Sequence, residues 1–82
     1  MPVIARFYGI IIKMYFKEHG IPHFHALYGE FNSVFAISSL EMIEGDLPQR
    51  AMNLVMEWAK SHQEDLLDMW NTQQFRNLPG LE

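Results

Sequence analysis

The chain has 82 residues, and its six basic and ten acidic side chains give a net charge of −4 at pH 7. This length corresponds to one domain, residues 1–82, with a small hydrophobic core. The absence of cysteine excludes disulfides, thiolate metal ligands and cysteine nucleophiles. The acidic balance disfavours indiscriminate binding to polyanions, although residues 1–40 hold three basic and only two acidic side chains.

The first half of the chain, residues 1–45, has the alternation of apolar and polar side chains that predicts β-strands. Gly20 and Pro22 mark a turn over residues 18–22, and Gly29-Glu30 is suited to a two-residue hairpin turn. We predict three strands, with two further short strands as an option; the three are residues 9–17, 23–28 and 31–38, and the optional ones are 3–7 and 40–45.

The second half, residues 46–76, has apolar side chains at helical spacing, and residues 77–82 form a tail. Asp46 is suited to cap the first helix, because its carboxylate can accept from free amides and Pro48 is tolerated in a first turn. Ser61 and Glu64 have the spacing of a second capping box, which predicts a break between two helices. One continuous helix over residues 47–76 is the alternative.

The turns also predict which side chains share a face of the sheet. A loop over residues 18–22 would place Lys17 opposite His23, Tyr15 opposite His25 and Lys13 opposite Leu27. One face would then be apolar: Ile10, Ile12, Met14, Phe16, Phe24, Ala26, Tyr28, Phe31, Phe35 and Ile37. We expect the helices to cover this face. The predicted fold is therefore α+β, an antiparallel meander of three to four strands with two C-terminal helices packed on one face.

The opposite, polar face would carry the side chains that are suited to catalysis or binding. His23 and His25 alternate on one strand, so they project in parallel about 7 Å apart. Such a pair can transfer protons near neutral pH or bind a metal, or can be two ordinary exposed histidines. The pair lacks a third ligand unless His19 supplies it, and Lys17 opposite His23 would repel a cation. We therefore predict no metal and no cofactor.

Four segments, taken together, resemble a known family of small bacterial proteins. They are Arg6-Phe7-Tyr8-Gly9-Ile10, Pro22-His23-Phe24-His25-Ala26, Leu47-Pro48-Gln49-Arg50 and the series Trp58, His62, Leu66, Trp70. The family is the domain of unknown function numbered 4160, and the resemblance covers residues 2–72. It implies no established activity, but family members are often encoded beside a small protein of the family numbered 2442. Some are suspected toxin–antitoxin components. The matching positions of interest are Arg6, His23, His25 and Arg50.

Two functions follow as hypotheses. The first is a small interaction module, plausible in a toxin–antitoxin-like pair, that binds a cognate protein encoded nearby and RNA. Lys13 and Lys17 would contact phosphate, Tyr15 would stack on a base, and Arg6 and Arg50 would add binding contacts. The alternative is a small hydrolase or nuclease in which His23 and His25 are catalytic, as a general acid–base pair or as metal ligands.

The assembly and location of the protein are also predicted. An exposed edge strand or the methionine-bearing flank of a helix is suited to a homodimer. The apolar stretch over residues 10–16 contains Lys13 and is far shorter than the roughly 20 residues of a membrane-spanning helix. With no secretory signal pattern either, we expect a cytoplasmic protein that makes no membrane contact.

Overall fold

The computed structural model describes residues 3–81 and contains five strands followed by two helices. The strands are β1 (Val3–Phe7), β2 (Ile10–Lys13), β3 (His23–Tyr28), β4 (Phe31–Ala36) and β5 (Met42–Gly45). The helices are α1 (Gln49–Ser61) and α2 (Gln63–Thr72). Each strand pairs antiparallel with its neighbour in the chain, so the sheet is a meander in the order β1-β2-β3-β4-β5. This confirms the predicted α+β fold with two C-terminal helices; because both optional strands form, the sheet has five strands where three to four were predicted.

The helices pack on one face of the sheet, and the hydrophobic core lies between the two layers. From the sheet, the core takes fully buried side chains that were predicted to share the apolar face: Ile10, Ile12, Met14, Phe24, Ala26, Phe35 and Ile37. From the helices, it takes Ala51, Val55, Trp58, Ala59, Leu66 and Met69. Burial of these side chains is the main force that holds the two layers together.

Two tight turns set the pairing at one end of the sheet. Tyr8 and Gly9 join β1 to β2 with φ values of 49° and 81°, as a type I′ turn requires. Gly29 has a φ of 56° at the first position of the turn between β3 and β4, as predicted. In the β3–β4 pair, His25 lies opposite Val34.

The predicted register between β2 and β3 is wrong by two residues. Lys13 lies opposite His25, and Ile11 lies opposite Leu27. The strand ends at Lys13 because the following loop leaves the extended conformation, with Lys17 at a φ of 58°. A shift of two residues exchanges partners but keeps each side chain on its face, so the assignment of the faces survives.

Three aromatic residues assigned to the apolar face are exposed instead. Phe16 lies beyond the end of β2, where its ring stacks on Phe75 with centroids 4.5 Å apart. Tyr28 and Phe31 flank the Gly29 turn at the tip of their hairpin, and both are exposed. The apolar face is therefore buried only over the middle of the strands.

The two predicted helices are present, but their predicted caps are not formed. The residue before α1 is Pro48, which makes no side-chain capping bond to the described residues. The N–H of Asp46 instead donates to the carbonyl of Asn32 at 2.9 Å, which ties this segment to the sheet. The break falls at His62, and Ser61 Oγ donates back to the carbonyl of Glu57. The alternative of one continuous helix is wrong.

The segment after α2 runs back across the domain. The N–H of Leu78 donates to the carbonyl of Ile4 at 2.7 Å, and Nε1–H of Trp58 donates to the carbonyl of Pro79 at 2.7 Å. These bonds connect the tail to β1 and to the centre of the core. Within residues 3–81, neither helix combines the length and apolar character needed to cross a membrane.

Candidate functional site

Glu18, His23 and His25 come together on the polar face of the sheet, at the end where Trp70 of α2 contacts His23. The histidines project from β3, and Glu18 lies in the loop over residues 14–22 that joins β2 to β3. The side chains of Glu18, His23 and His25 are 29%, 10% and 23% exposed, respectively. The cluster is therefore partly sheltered, yet still reachable from solvent.

A single carboxylate oxygen contacts both imidazoles. Oε1 of Glu18 lies 2.6 Å from Nε2 of His25 and 3.1 Å from Nε2 of His23. The other ring nitrogen of His23, Nδ1, lies 2.8 Å from the carbonyl oxygen of Ile21. Because a carbonyl oxygen can only accept, Nδ1 of His23 carries a hydrogen and donates a hydrogen bond to the carbonyl of Ile21.

Aromatic side chains flank both histidines and restrict their rings. Tyr15 meets His25 edge to face with centroids 4.6 Å apart, and Trp70 of α2 packs on His23 at 4.9 Å. The two imidazoles are 5.3 Å apart. Trp70 covers part of His23 and also packs against the core, so α2 reaches this end of the polar face.

The pKa of Glu18 lies below its ordinary value. Partial burial raises the pKa of this carboxyl. The hydrogen bonds with His25 and His23, together with the positive charge of these rings when protonated, lower the pKa by more than burial raises it. Glu18 is therefore a carboxylate at neutral pH, and the cluster contains a fixed negative charge.

The predicted binding residues fall into two groups. Lys13 and Tyr15 lie beside His25, Lys13 as its cross-strand neighbour. Arg6 lies exposed on β1, and Arg50 lies in the first turn of α1, away from the histidines. The predicted pairing of Lys17 with His23 is wrong, because β2 has ended before Lys17.

Sequence reasoning missed Glu18 as a member of the site. We considered His19 as the third ligand, but His19 is exposed and lies outside the cluster. One signal pointed to Glu18: it is an acidic residue in the loop that leads directly into a strand with paired histidines. Such a loop has to return to the start of that strand, which brings its polar side chains near His23.

A second concave feature lies at the other end of β3. It is a groove of about 520 Å³. Its lining combines two tyrosines, an arginine, a glutamate and apolar side chains: Tyr8, Tyr28, Pro48, Arg50, Ala51, Leu54, Glu57 and Leu81. This groove contains Arg50, one of the predicted binding residues, and it is separate from the histidine cluster.

The histidine cluster allows two kinds of chemistry. A carboxylate bonded to an imidazole holds the ring in place and stabilises positive charge on it, as in proton-transfer catalysis. Two imidazole nitrogens and one carboxylate oxygen that converge on one point also form the donor set of catalytic metal centres.

These features define a small α+β domain with a partly exposed Glu–His–His cluster on the polar face of an antiparallel meander, at the end that α2 reaches. The chain belongs to the family described as "Domain of unknown function (DUF4160)", whose model matches residues 9–71. This confirms the family indicated by the sequence motifs, and the matched region includes the whole cluster. No curated protein and no solved structure matches the chain.

Proposed function

We propose that the protein is a small hydrolase that cleaves phosphodiester bonds in RNA at the Glu18–His23–His25 cluster. The observation that carries this proposal is the contact of one carboxylate oxygen with two imidazoles, at 2.6 and 3.1 Å, on a partly exposed surface. Two ordinary surface histidines have no need of a shared carboxylate. A group of interacting ionisable side chains with access to solvent is typical of a reaction centre.

The neighbours of the cluster favour a phosphodiester substrate. Lys13 lies opposite His25 in the sheet and supplies a positive charge for phosphate. Tyr15 presents an aromatic ring beside the same histidine, and aromatic rings stack on the bases of single-stranded nucleic acids. These local groups support RNA as the substrate despite the net charge of −4 of the whole chain.

The test is cleavage of a fluorescently labelled single-stranded RNA by purified protein. We expect His25→Ala and Glu18→Gln each to lower the cleavage rate by about 100-fold or more, the usual effect of removing a positioned acid–base or activating group. The matched controls are His19→Ala and Glu44→Gln, which remove exposed side chains of the same types outside the cluster. Cleavage that persists in His25→Ala would show that it comes from a contaminant and would remove the support for this function.

A second function, binding of a cognate protein, is favoured by the groove around Arg50. We propose that the groove accepts an extended segment of a partner encoded next to this protein, as in a toxin–antitoxin-like pair. Arg50 would pair with an acidic side chain of that segment, and Tyr8 and Tyr28 would cover an apolar one. The groove lies at the opposite end of β3 from the histidines, so the two functions can be separated by mutation.

Co-expression with the neighbour-encoded protein tests this second function. We expect co-purification with the wild-type chain and with His25→Ala, and loss of at least tenfold in affinity with Arg50→Glu, which places a like charge against the acidic segment. Equal retention by the Arg50→Glu variant would exclude the groove as the contact surface. No co-purification with the wild-type chain would exclude this partner altogether.

A further inference from the structure

We infer that Glu18, His23 and His25 bind one divalent transition-metal ion, of the kind that prefers imidazole and carboxylate donors. The inference deepens the proposed hydrolase by naming its cofactor, and the role of the ion in RNA cleavage rests on that proposed function. Ion binding itself rests only on the geometry of the cluster. It departs from the expectation of a site without metal, which was based on a pair of histidines lacking a third ligand.

The three donor atoms already have nearly the spacing of metal ligands. Nε2 of His23, Nε2 of His25 and a carboxylate oxygen of Glu18 all lie within 4.8 Å of one another. Two donors bound at about 2.1 Å to one ion are about 3.0–3.4 Å apart in octahedral or tetrahedral geometry. The distance of 3.1 Å from Glu18 to His23 falls in that range, and the 2.6 Å to His25 needs only a small outward movement.

The hydrogen bond of His23 to the backbone leaves the metal-binding nitrogen free. Because Nδ1–H donates to the carbonyl of Ile21, the neutral ring has its lone pair on Nε2, which faces Glu18. A lone pair that faces a carboxylate oxygen is repulsive, and either a proton on Nε2 or a cation between the two atoms relieves that repulsion. A metal ion there satisfies both donors, and a histidine that donates its other N–H to a carbonyl is the common second-shell arrangement of metal centres.

The scaffold holds the ligands in place before an ion arrives. β3 holds the backbone of both histidines: His25 pairs with Lys13 of β2 and Val34 of β4, and His23 pairs with Ala36 of β4. The loop that carries Glu18 is tied down one residue earlier, where the N–H of Lys17 donates to Oε1 of Gln73 at 2.8 Å. Ligands that lose little freedom on binding give a tighter site.

The position of the cluster leaves room for a further ligand. Glu18 and His25 remain 29% and 23% exposed, so solvent reaches the point where the donors converge. An ion with three protein ligands keeps at least one coordination position for water, which is the arrangement of catalytic rather than structural zinc sites. An ion held here would lower the pKa of a bound water; its hydroxide would add to the phosphorus as the P–O bond to the leaving group breaks and that oxygen takes up a proton from water.

Titration of untagged, EDTA-treated wild-type protein with Zn²⁺ by calorimetry tests the inference. We expect one ion per chain and an increase in the melting temperature on binding. Co²⁺ should produce visible absorption bands of a site with nitrogen and oxygen donors. His25→Ala and Glu18→Gln should weaken Zn²⁺ binding by at least 100-fold, since each removes one of three ligands, whereas His19→Ala and Glu44→Gln should leave it unchanged.

Nuclear magnetic resonance of the histidine side chains gives a readout that does not depend on any variant. With Zn²⁺ bound, we expect His23 to have its proton on Nδ1 and the metal at Nε2. No Zn²⁺ binding, equal weakening by His19→Ala, or a metal at Nδ1 of His23 would overturn the inference. RNA cleavage that resists chelator, with no ion bound, would overturn the metal site but keep the hydrolase. Specific Zn²⁺ binding without RNA cleavage would keep the metal site but overturn the hydrolase.

Discussion

Replacement of Trp58 by alanine is expected to lower the free energy of unfolding by about 3–5 kcal/mol, the range for removal of a large buried aromatic side chain. Trp58 is fully buried, and its ring lies 5.5 Å from Phe7 of β1 and 6.1 Å from Phe24 of β3. Through this side chain α1 contacts both the edge strand β1 and the central strand β3. A domain of this size has roughly 4–12 kcal/mol in total, at about 0.05–0.15 kcal/mol per residue, so the loss is a large part of its stability.

Urea denaturation followed by circular dichroism measures this effect. Met56→Ala is the matched control, since Met56 is an exposed residue of the same helix and its loss should change the unfolding free energy by less than about 1 kcal/mol. Trp58→Phe keeps an aromatic ring but removes the hydrogen bond to Pro79, so we expect an intermediate loss. If Trp58→Ala were no more destabilising than Met56→Ala, the core would not be centred on this residue.

The partition of the sheet into two faces was predictable, although the pairing was not. Alternation along a strand alone decides which face a side chain occupies, so Ile10 and Ile12 were correctly assigned to the core. The partner of each residue depends on the length of the connecting loop. A loop longer by an even number of residues preserves every face, and this is why the register error at Lys13 left no trace in the pattern.

The candidate site was only partly predictable, for a different physical reason. His23 and His25 follow from strand periodicity, but the approach of Glu18 depends on the path of a loop with Lys17 at a φ of 58°. That path is stabilised by a bond from Lys17 to Gln73, which lies beyond α2. A bond between residues 56 positions apart leaves no local signal, so the sequence indicates only that Glu18 lies in the loop before β3. The burial of His23 by Trp70 was missed for the same reason.

The role of Asp46 was mispredicted because a capping motif competes with the requirements of the preceding strand. The N–H of Asp46 bonds to Asn32 of β4, which continues the ladder between β4 and β5. Just before it, Gly45 is the last residue of β5 and lies close to the backbone of Asn32 in β4. The helix therefore begins only after Pro48.

The close approach at Gly45 predicts a second large effect, from the substitution Gly45→Ala. A Cβ atom there would lie 2.1 Å from the carbonyl oxygen of Asn32 and 2.8 Å from Cα of Ser33. Both are backbone atoms of β4, so neither moves aside at little cost. Gly45 also has a φ of 90°, which side chains rarely adopt. We expect a loss of about 1–3 kcal/mol from overpacking, in addition to the strain of that φ.

The variant Gly20→Ala isolates the part of the stability loss that comes from the positive φ alone. Gly20 has nearly the same φ, 94°, but within residues 3–81 nothing lies within 4 Å of the Cβ that alanine would add. We expect Gly20→Ala to cost about 1–2 kcal/mol, the strain of the left-handed conformation alone. Unfolding free energies from urea denaturation should therefore rank wild type above Gly20→Ala and Gly20→Ala above Gly45→Ala. Because β5 is an edge strand, amide exchange in Gly45→Ala should accelerate first in β5, where the strain is relieved by detachment. Equal losses for the two variants would mean that β4 and β5 are not in the close contact described here.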